Sequence, residues 1–386
     1  MDDTNINKEL NPDLNPESTE NTPPVVPPIP VAKPIETPEE VNSIDETTNS
    51  GIYSTEIPEV PSPAFQFQSS LDLAFVKEKV QEAREEAKAF IIGQEEMIDL
   101  LLIGIFTNGH ILLEGVPGIA KTLSAKVLSK CMDTDFSRIQ FTPDLMPSDI
   151  LGTSVFNMKT SEFNFNKGPI FSNIILIDEV NRAPAKTQSA LFEVMEERQI
   201  TYEGMKYEMG FPFLIIATQN PVEQEGTYSL PEAQLDRFLF KINLDYPTLE
   251  QEQQILARYK NTTLAPDLAT ITKVFSEADL LKIQELVTQI KIADDLMNYI
   301  ANITHNTRNH AKLYLGASPR ASLAMAKSAK AMAAIQGRDF ITPDDIQSVA
   351  HYVLNHRIIL TPEAEMEGLS TQSVIEEIIH KIEVPR

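Results

Sequence analysis

The sequence predicts an α/β domain built on a parallel sheet flanked by helices, followed by an all-α domain and preceded by a disordered tail. Three observations predict it. Near-continuous apolar runs, "SNIILID" and "FPFLIIATQN", recur between stretches of helical spacing, and such runs belong to parallel strands covered on both faces. Beyond "LDYPTLEQEQQILARYK" no strand candidate appears, only helical patterns. The first 63 residues hold 12 of the 26 prolines and a single glycine, Gly51.

That head carries 13 acidic residues against two lysines, a net charge of −11 within a total of −24. In "NTPPVVPPIPVAKPIETPEE" proline removes backbone donors and fixes φ, so neither helix nor ladder can form. Low apolar content with high charge cannot offset the entropy of ordering. Residues 1–63 are expected to be a disordered, partly polyproline tail, read as a solvating spacer, with partner docking as the alternative.

Ordered patterns begin near Leu71. "LDLAFVKEKVQEAREEAKAF" and "GQEEMIDLLLIGIFT" have apolar residues at helical spacing. "HILLE" and "SRIQF" read as strands, with helical "LSAKVLSKCM" between them. "SNIILID", helical "KTQSALFEVMEERQI" and "FPFLIIATQN" follow, with "QITYEGMKYEM" alternating about Glu203-Gly204 as a hairpin does. The boundary is placed at Tyr246-Pro247, giving an α/β core over 71–246 and a helical domain over 247–386. Helices are predicted in the latter at 276–290, 293–304, 321–335 and 343–354.

Composition excludes several functions. A pI near 4.6 with no Lys/Arg run repels phosphate backbones, so no nucleic-acid partner is expected. One cysteine, Cys131, allows neither an internal disulfide framework nor a Cys-rich zinc site. Six scattered histidines, with "HNTRNH" the closest pair, do not make a metal ligand set. "MDDTNINKEL" is not a signal peptide, and "LLLIGIF" is too short to cross a bilayer. A cytoplasmic protein with no membrane insertion is expected.

The chemistry centres on "GVPGIAKT", Gly115 to Thr122, between an apolar strand and a helix. A phosphate loop needs inward backbone N–H groups, a helix N-terminus behind them and a lysine for the β/γ phosphates. Gly115 and Gly118 permit the turn, Lys121 supplies the cation and Thr122 a hydroxyl for Mg²⁺. Ala120 stands where glycine is usual; a position already inside the helix would tolerate it, because alanine adopts helical φ/ψ easily. A structural turn with an incidental lysine is the competing reading. In "IILIDEVNRAP" a strand ends in Asp178 and Glu179, 57 residues after Lys121. The first carboxylate can hold Mg²⁺ through its water shell and the second can polarise the attacking water. Asn220 ends the strand of "FLIIATQNP", where its amide can orient that water. Arg237 precedes an apolar strand, and Arg320 opens a helix with Ser318 as N-cap and Pro319 in its first turn. Singly, each arginine is more often a surface ion-pair partner. "NKGP" lacks the aspartate of a guanine-reading motif, which disfavours GTP.

Taken in order, GVPGIAKT, IDEVNRAP, ATQNP, LPEAQLDRF and GASPRA resemble the AAA+ ATPases, and within them the MoxR family, over residues 75–386. That family carries alanine at this loop position and is itself similar to magnesium-chelatase ATPase subunits. The resemblance implies a P-loop core with a helical lid, ATP and Mg²⁺ as cofactors, and a homo-oligomeric ring, commonly a hexamer. It implies that Gly115, Val116, Pro117, Gly118, Ile119 and Ala120, then Lys121, Thr122 and Leu123, hold the nucleotide (Walker A), with Asp178 and Glu179 as Walker B. Asn220 matches sensor 1, Arg237 the arginine finger and Arg320 sensor 2, while Ile92 and Gly93 frame the adenine. Arg320 would then contact the phosphate from the lid of its own chain, and Arg237 the nucleotide of a neighbour, with Arg182 and Arg198 as fallbacks. The stretch from Thr142 to Phe171 fits the family's insertion, whose Phe163-Asn164-Phe165 faces a pore or client, or is a plain surface hairpin. The function implied is ATP-driven remodelling or maturation of client proteins, either von Willebrand factor A domain proteins or metal-dependent enzymes. The alternatives are a chelatase motor subunit and a nucleotide-dependent scaffold with little turnover.

Overall fold

The computed structural model describes residues 71–116, 118–159, 161–221, 226–259 and 267–385; the tail expected over 1–63 lies outside them. Two helices come first, α1 (Leu73–Lys88) and α2 (Glu95–Phe106). α1 buries Leu73, Val76, Val80, Ala83 and Ala87, one stripe at helical spacing, whereas α2 is buried nearly all round.

Strand β1 (His110–Gly115), helix α3 (Lys121–Cys131) and strand β2 (Phe136–Gln140) follow, then α4 (Pro147–Leu151) and a hairpin, β3 (Gly152–Asn157) with β4 (Glu162–Lys167). Next come β5 (Ile174–Asp178), α5 (Ala185–Glu197) and a second hairpin, β6 (Gln199–Tyr202) with β7 (Met205–Glu208). β8 (Leu214–Gln219), the short α6 (Glu232–Leu235) and β9 (Phe238–Leu244) complete the core. Five strands form one parallel sheet in the order β2-β5-β8-β1-β9.

The two faces of this sheet explain the unbroken apolar runs. Ile174, Leu176, Leu214 and Ile216 face a cluster with α1 to α3. Their neighbours Ile175, Ile177, Ile215 and Ala217 face a separate cluster with α5. Strands apolar on only one face would have alternated.

After β9 come α7 (Leu249–Tyr259), α8 (Glu277–Gln289), α9 (Asp294–Arg308), β10 (Leu313–Leu315), α10 (Pro319–Ile335), α11 (Pro343–Leu354), β11 (Ile359–Leu360), α12 (Pro362–Met366) and α13 (Thr371–Lys381). Ser318 caps α10 and Pro319 opens it, as the sequence predicts. β10 and β11 pair antiparallel over only two or three residues, too short for alternation to reveal them, and α12 and α13 were also not foreseen. Buried residues of α8 to α11 share the cluster of α1 to α3, so lid and core are continuous in packing. Among the described residues no helix is long and apolar enough to cross a membrane.

In the β3–β4 hairpin, Phe156 and Phe163 are exposed and pack on each other, their ring centroids 5.1 Å apart. Phe165 instead packs against Tyr202 and Tyr207 of the β6–β7 hairpin. The two aromatic residues of Phe163-Asn164-Phe165 therefore have different roles, one exposed and one holding two hairpins together.

Candidate functional site at the carboxyl rim of the sheet

Parallel strands end together at one rim, and there a cleft of about 390 Å³ opens between the β1–α3 loop and the ends of β2, β5 and β8. Gly118, Ala120, Lys121, Thr122 and Leu123 line it from the loop side. Asp178, Glu179 and Asn220 line it from the strand side. Val116 and Ile119 pack into the core instead, and Pro117 lies outside the described residues.

Gly115 has no room for a side chain: a Cβ there would meet Leu244 O and Ile119 Cδ1 at 2.7 Å. The loop is thereby pressed onto β9. Gly118 has φ +90° and open space beside it, so backbone conformation rather than crowding favours glycine. Ala120 corrects the sequence reading. It lies not inside α3 but at its N-cap, at φ 64° and ψ 12°, in the left-handed region. For a residue with a Cβ that conformation costs about 1 kcal/mol. Alanine is thus strained here, not neutral.

Lys121 Nζ donates to Gly115 O at 2.7 Å, folding the side chain back over its own loop. Burial lowers the pKa of its ammonium, while Asp178, Glu179 and Glu114 pull it back up. A cation part-withdrawn from water beside three acids suits a phosphate that replaces lost hydration. Asp178 accepts from Arg138 Nε at 2.6 Å and from Thr218 Oγ1 at 3.2 Å, which fixes both carboxylate oxygens. Glu179 has φ 56°, a second left-handed non-glycine residue in the cleft. Its N–H donates to Thr218 Oγ1 (3.1 Å), and its carboxylate accepts from Gln140 Nε2 at 2.8 Å and pairs with Arg182 Nε at 2.9 Å. Thr218 therefore ties the tandem acids to β8, two residues before the buried Asn220.

Arg138, Gln140 and Thr218 were not singled out from the sequence. A signal existed. In "SRIQF" Arg138 and Gln140 flank the apolar Ile139, and the register of β2 on β5 sets Gln140 opposite Asp178, so one face of an edge strand looks into the cleft. Gly93 lines a separate recess of about 230 Å³ with Met97, Leu244, Tyr246 and Tyr352, bordering the β9 residue paired with Gly115. Ile92 is half-buried and lines neither space.

The structure does not bring Arg237 or Arg320 to this cleft. Arg237 directly precedes β9, and its neighbour Phe238 pairs with His110, the first residue of β1; Gly115, the last, pairs with Leu244. At roughly 3.3 Å per residue, the length of β1 separates the two rims by about 17 Å, beyond the reach of an arginine side chain. Arg320, expected over the phosphate of its own chain, sits at the same amino rim. Glu196 binds both, Arg237 Nη2 at 2.9 Å and Arg320 Nη2 at 2.6 Å. Arg198 and Lys327 line the same recess, a cationic patch on an acidic chain. Arg198 is engaged with Asn108, and Arg182 with Glu179.

A parallel sheet in this order, with a glycine loop, lysine and tandem acids at its carboxyl rim, is the architecture of a P-loop nucleotide-binding protein. Comparison with known proteins narrows it. Residues 110–240 match the ATPase family associated with various cellular activities (AAA), and 305–378 match the AAA lid domain. The chain is 44% identical to the YeaC protein of Bacillus subtilis over 78% of its length and 94% of the relative's. It is 43% identical to the chaperone MoxR1 of Mycobacterium tuberculosis, over 78% of this chain and 81% of that protein. The crystal structure of a candidate ATPase from Cytophaga hutchinsonii superposes with a TM-score of 0.76 at 47% identity, covering 81% of this chain and 97% of the other. The chain belongs to the MoxR family of AAA ATPases.

Proposed function

We propose that this ATPase is Mg²⁺-dependent and works in the cytoplasm as a closed homo-oligomeric ring, a hexamer by family resemblance. Its core (71–246) and lid (247–386) move against each other to remodel or mature client proteins. A relative 43% identical is named a chaperone, which supports client remodelling. Von Willebrand factor A domain proteins and metal-dependent enzymes are the client classes the resemblance favours. Among the described residues no group of three or more His, Cys, Asp or Glu could itself hold a metal.

The donor set fits the ion. A hydroxyl (Thr122) and a carboxylate (Asp178) lining one cleft are hard oxygen ligands, which suit Mg²⁺ with part of its water shell kept. When bound, Mg²⁺ neutralises charge on the phosphate oxygens. Lys121 adds a second positive charge there, freed from Gly115 O. Glu179 accepts the proton of the attacking water, and Asn220, buried at the end of β8, orients that water. Arg237 and Arg320 act on the nucleotide of the adjoining subunit.

One observation carries this reading: both arginines lie at the rim opposite their own Lys121, so within a single chain the site is incomplete. Mixing Arg237→Ala with Lys121→Ala subunits tests it. Each variant alone should be inactive, and mixtures should regain ATP turnover where an intact loop meets an intact arginine. No recovery at any ratio, with rings still formed, would refute the assignment in trans.

A further inference from the structure

Beneath Arg237 and Arg320 lies a buried network that the phosphate chemistry does not use. Arg357, just after α11, has a side chain only 3% exposed, unusual for a guanidinium. All five of its N–H donors are matched. Nε donates to Asp236 Oδ1 at 2.7 Å, and Nη2 to Asp236 O at 3.2 Å and Phe238 O at 2.6 Å. Nη1 donates to Leu239 O at 3.2 Å and Val353 O at 2.5 Å. The lid thus grips the backbone on both sides of Arg237. Its neighbours extend the hold: a ring nitrogen of His356 lies 3.1 Å from Phe238 O, and Asn355 Nδ2 donates to Lys241 O at 2.9 Å.

The same acid reaches Arg320. Asp236 accepts from Ser318 Oγ at 3.1 Å, and that hydroxyl caps α10 by accepting the Arg320 N–H at 3.2 Å. The two arginines are therefore set from two sides, with Glu196 binding their guanidinium groups and the Asp236–Arg357 pair fixing their backbones. Other polar lid-to-core contacts lie at the surface, such as Lys282 with Asp72 and Lys273 with Asp133, whereas the Arg357 side chain is enclosed. A buried cation costs desolvation that only a full set of partners offsets, so it fixes one geometry closely.

We infer that Arg357, with Asn355 and His356, is a latch by which the position of the lid sets the position of Arg237, making Arg357 a positioning residue for the site of the adjoining subunit. This rests on the reading that Arg237 acts in trans. A lid moved by the nucleotide of its own chain would carry α11, and through Arg357 the backbone of 236–239, so one site would report its state to the next.

The test uses full-length protein and steady-state ATP hydrolysis. Arg357→Gln should lower kcat by about tenfold or more while KM for ATP and affinity for a fluorescent ATP analogue change less than about twofold, since its own cleft is untouched. Mixed with Lys121→Ala subunits, it should regain turnover as the Arg237→Ala mixture does. If the Arg237→Ala mixture recovers and the Arg357→Gln mixture does not, the latch is refuted and the trans assignment stands. If neither recovers, both fall. Wild-type kcat in Arg357→Gln also overturns the inference. Should Arg357→Gln lose its cooperative melting transition, Arg357→Lys, which keeps charge but not the fork, is judged by the same criteria; if that too fails to fold, Arg357 is structural and the inference falls.

Discussion

At the carboxyl rim of the sheet, tandem acids, a lysine and a hydroxyl surround a cleft beside a glycine loop. At the amino rim the recess holds Arg198, Arg237, Arg320, Arg357 and Lys327, with Glu196 the acid among its lining residues. The first gathers carboxylates, a hydroxyl and a glycine loop; the second gathers positive charge, two of its arginines held by Glu196. The length of β1 separates them, so a chain with a complete motif set does not gather all of it into one cleft. Phosphoryl transfer needs both kinds of group, because charge spreads over the γ-phosphoryl oxygens while water attacks from the other side. Under the function proposed above, a chain with these groups at opposite rims depends on contact with a second copy.

Four changes probe this contrast, from the largest effect down. Arg237→Ala tests the proposed arginine finger: kcat should fall by about 10³-fold or more, with nucleotide affinity nearly unchanged. Equal losses of affinity and rate in equilibrium binding and turnover assays would place Arg237 in its own chain's site. Glu179→Gln removes the proposed base at the carboxyl rim and should cost about 10²–10³-fold in kcat while ATP still binds. Unaltered turnover would make Glu179 a structural partner of Gln140 and Arg182.

The third change is pH, acting at the amino rim. His110 is buried at the start of β1, with Nε2 3.1 Å from Met195 O and Nδ1 accepting the Ile215 N–H at 3.1 Å. Burial, with Arg198 nearby, lowers its pKa to about 3. A folded pKa below the unfolded value means that the unfolded chain binds more protons between the two. The stability is therefore present above about pH 6.5 and lost as pH falls toward 3, by about 2 kcal/mol at pH 5 from this group. Urea titrations of wild type and His110→Gln at pH 7 and 5 would check it: the wild type should lose more on acidification than the variant. The smallest effect lies in the loop. Ala120→Gly relieves the left-handed strain and should raise stability by about 0.5–1 kcal/mol, or about 2 °C in Tm. A lower Tm would mean that unfolded-chain entropy dominates.

The sheet and the carboxyl-rim cleft were legible in the sequence because their signals are local. Unbroken apolar runs mark strands covered on both faces, and a strand ending in Asp178-Glu179 puts those acids at a rim whatever the rest of the chain does. Ala120 shows the limit of local reasoning: its residue type was read correctly and its backbone was not, since the left-handed φ belongs to the junction of loop and helix, which the residue type alone does not reveal. Arg320 shows it more strongly. Its helix, cap and first-turn proline were all foreseen, yet which rim α10 would place it on was not.

What the sequence determined by itself, then, was which residues end strands, open helices and carry chemistry, because periodicity, capping and turn residues act over a few positions. Only the tertiary structure decided which of them meet. Glu196 and Arg320 are 124 positions apart, and Asp236 and Arg357 are 121 apart. No local pattern encodes such pairs. They exist because α10 and α11 share one buried core with the sheet, and packing of that core fixes where the lid's charged side chains come to rest.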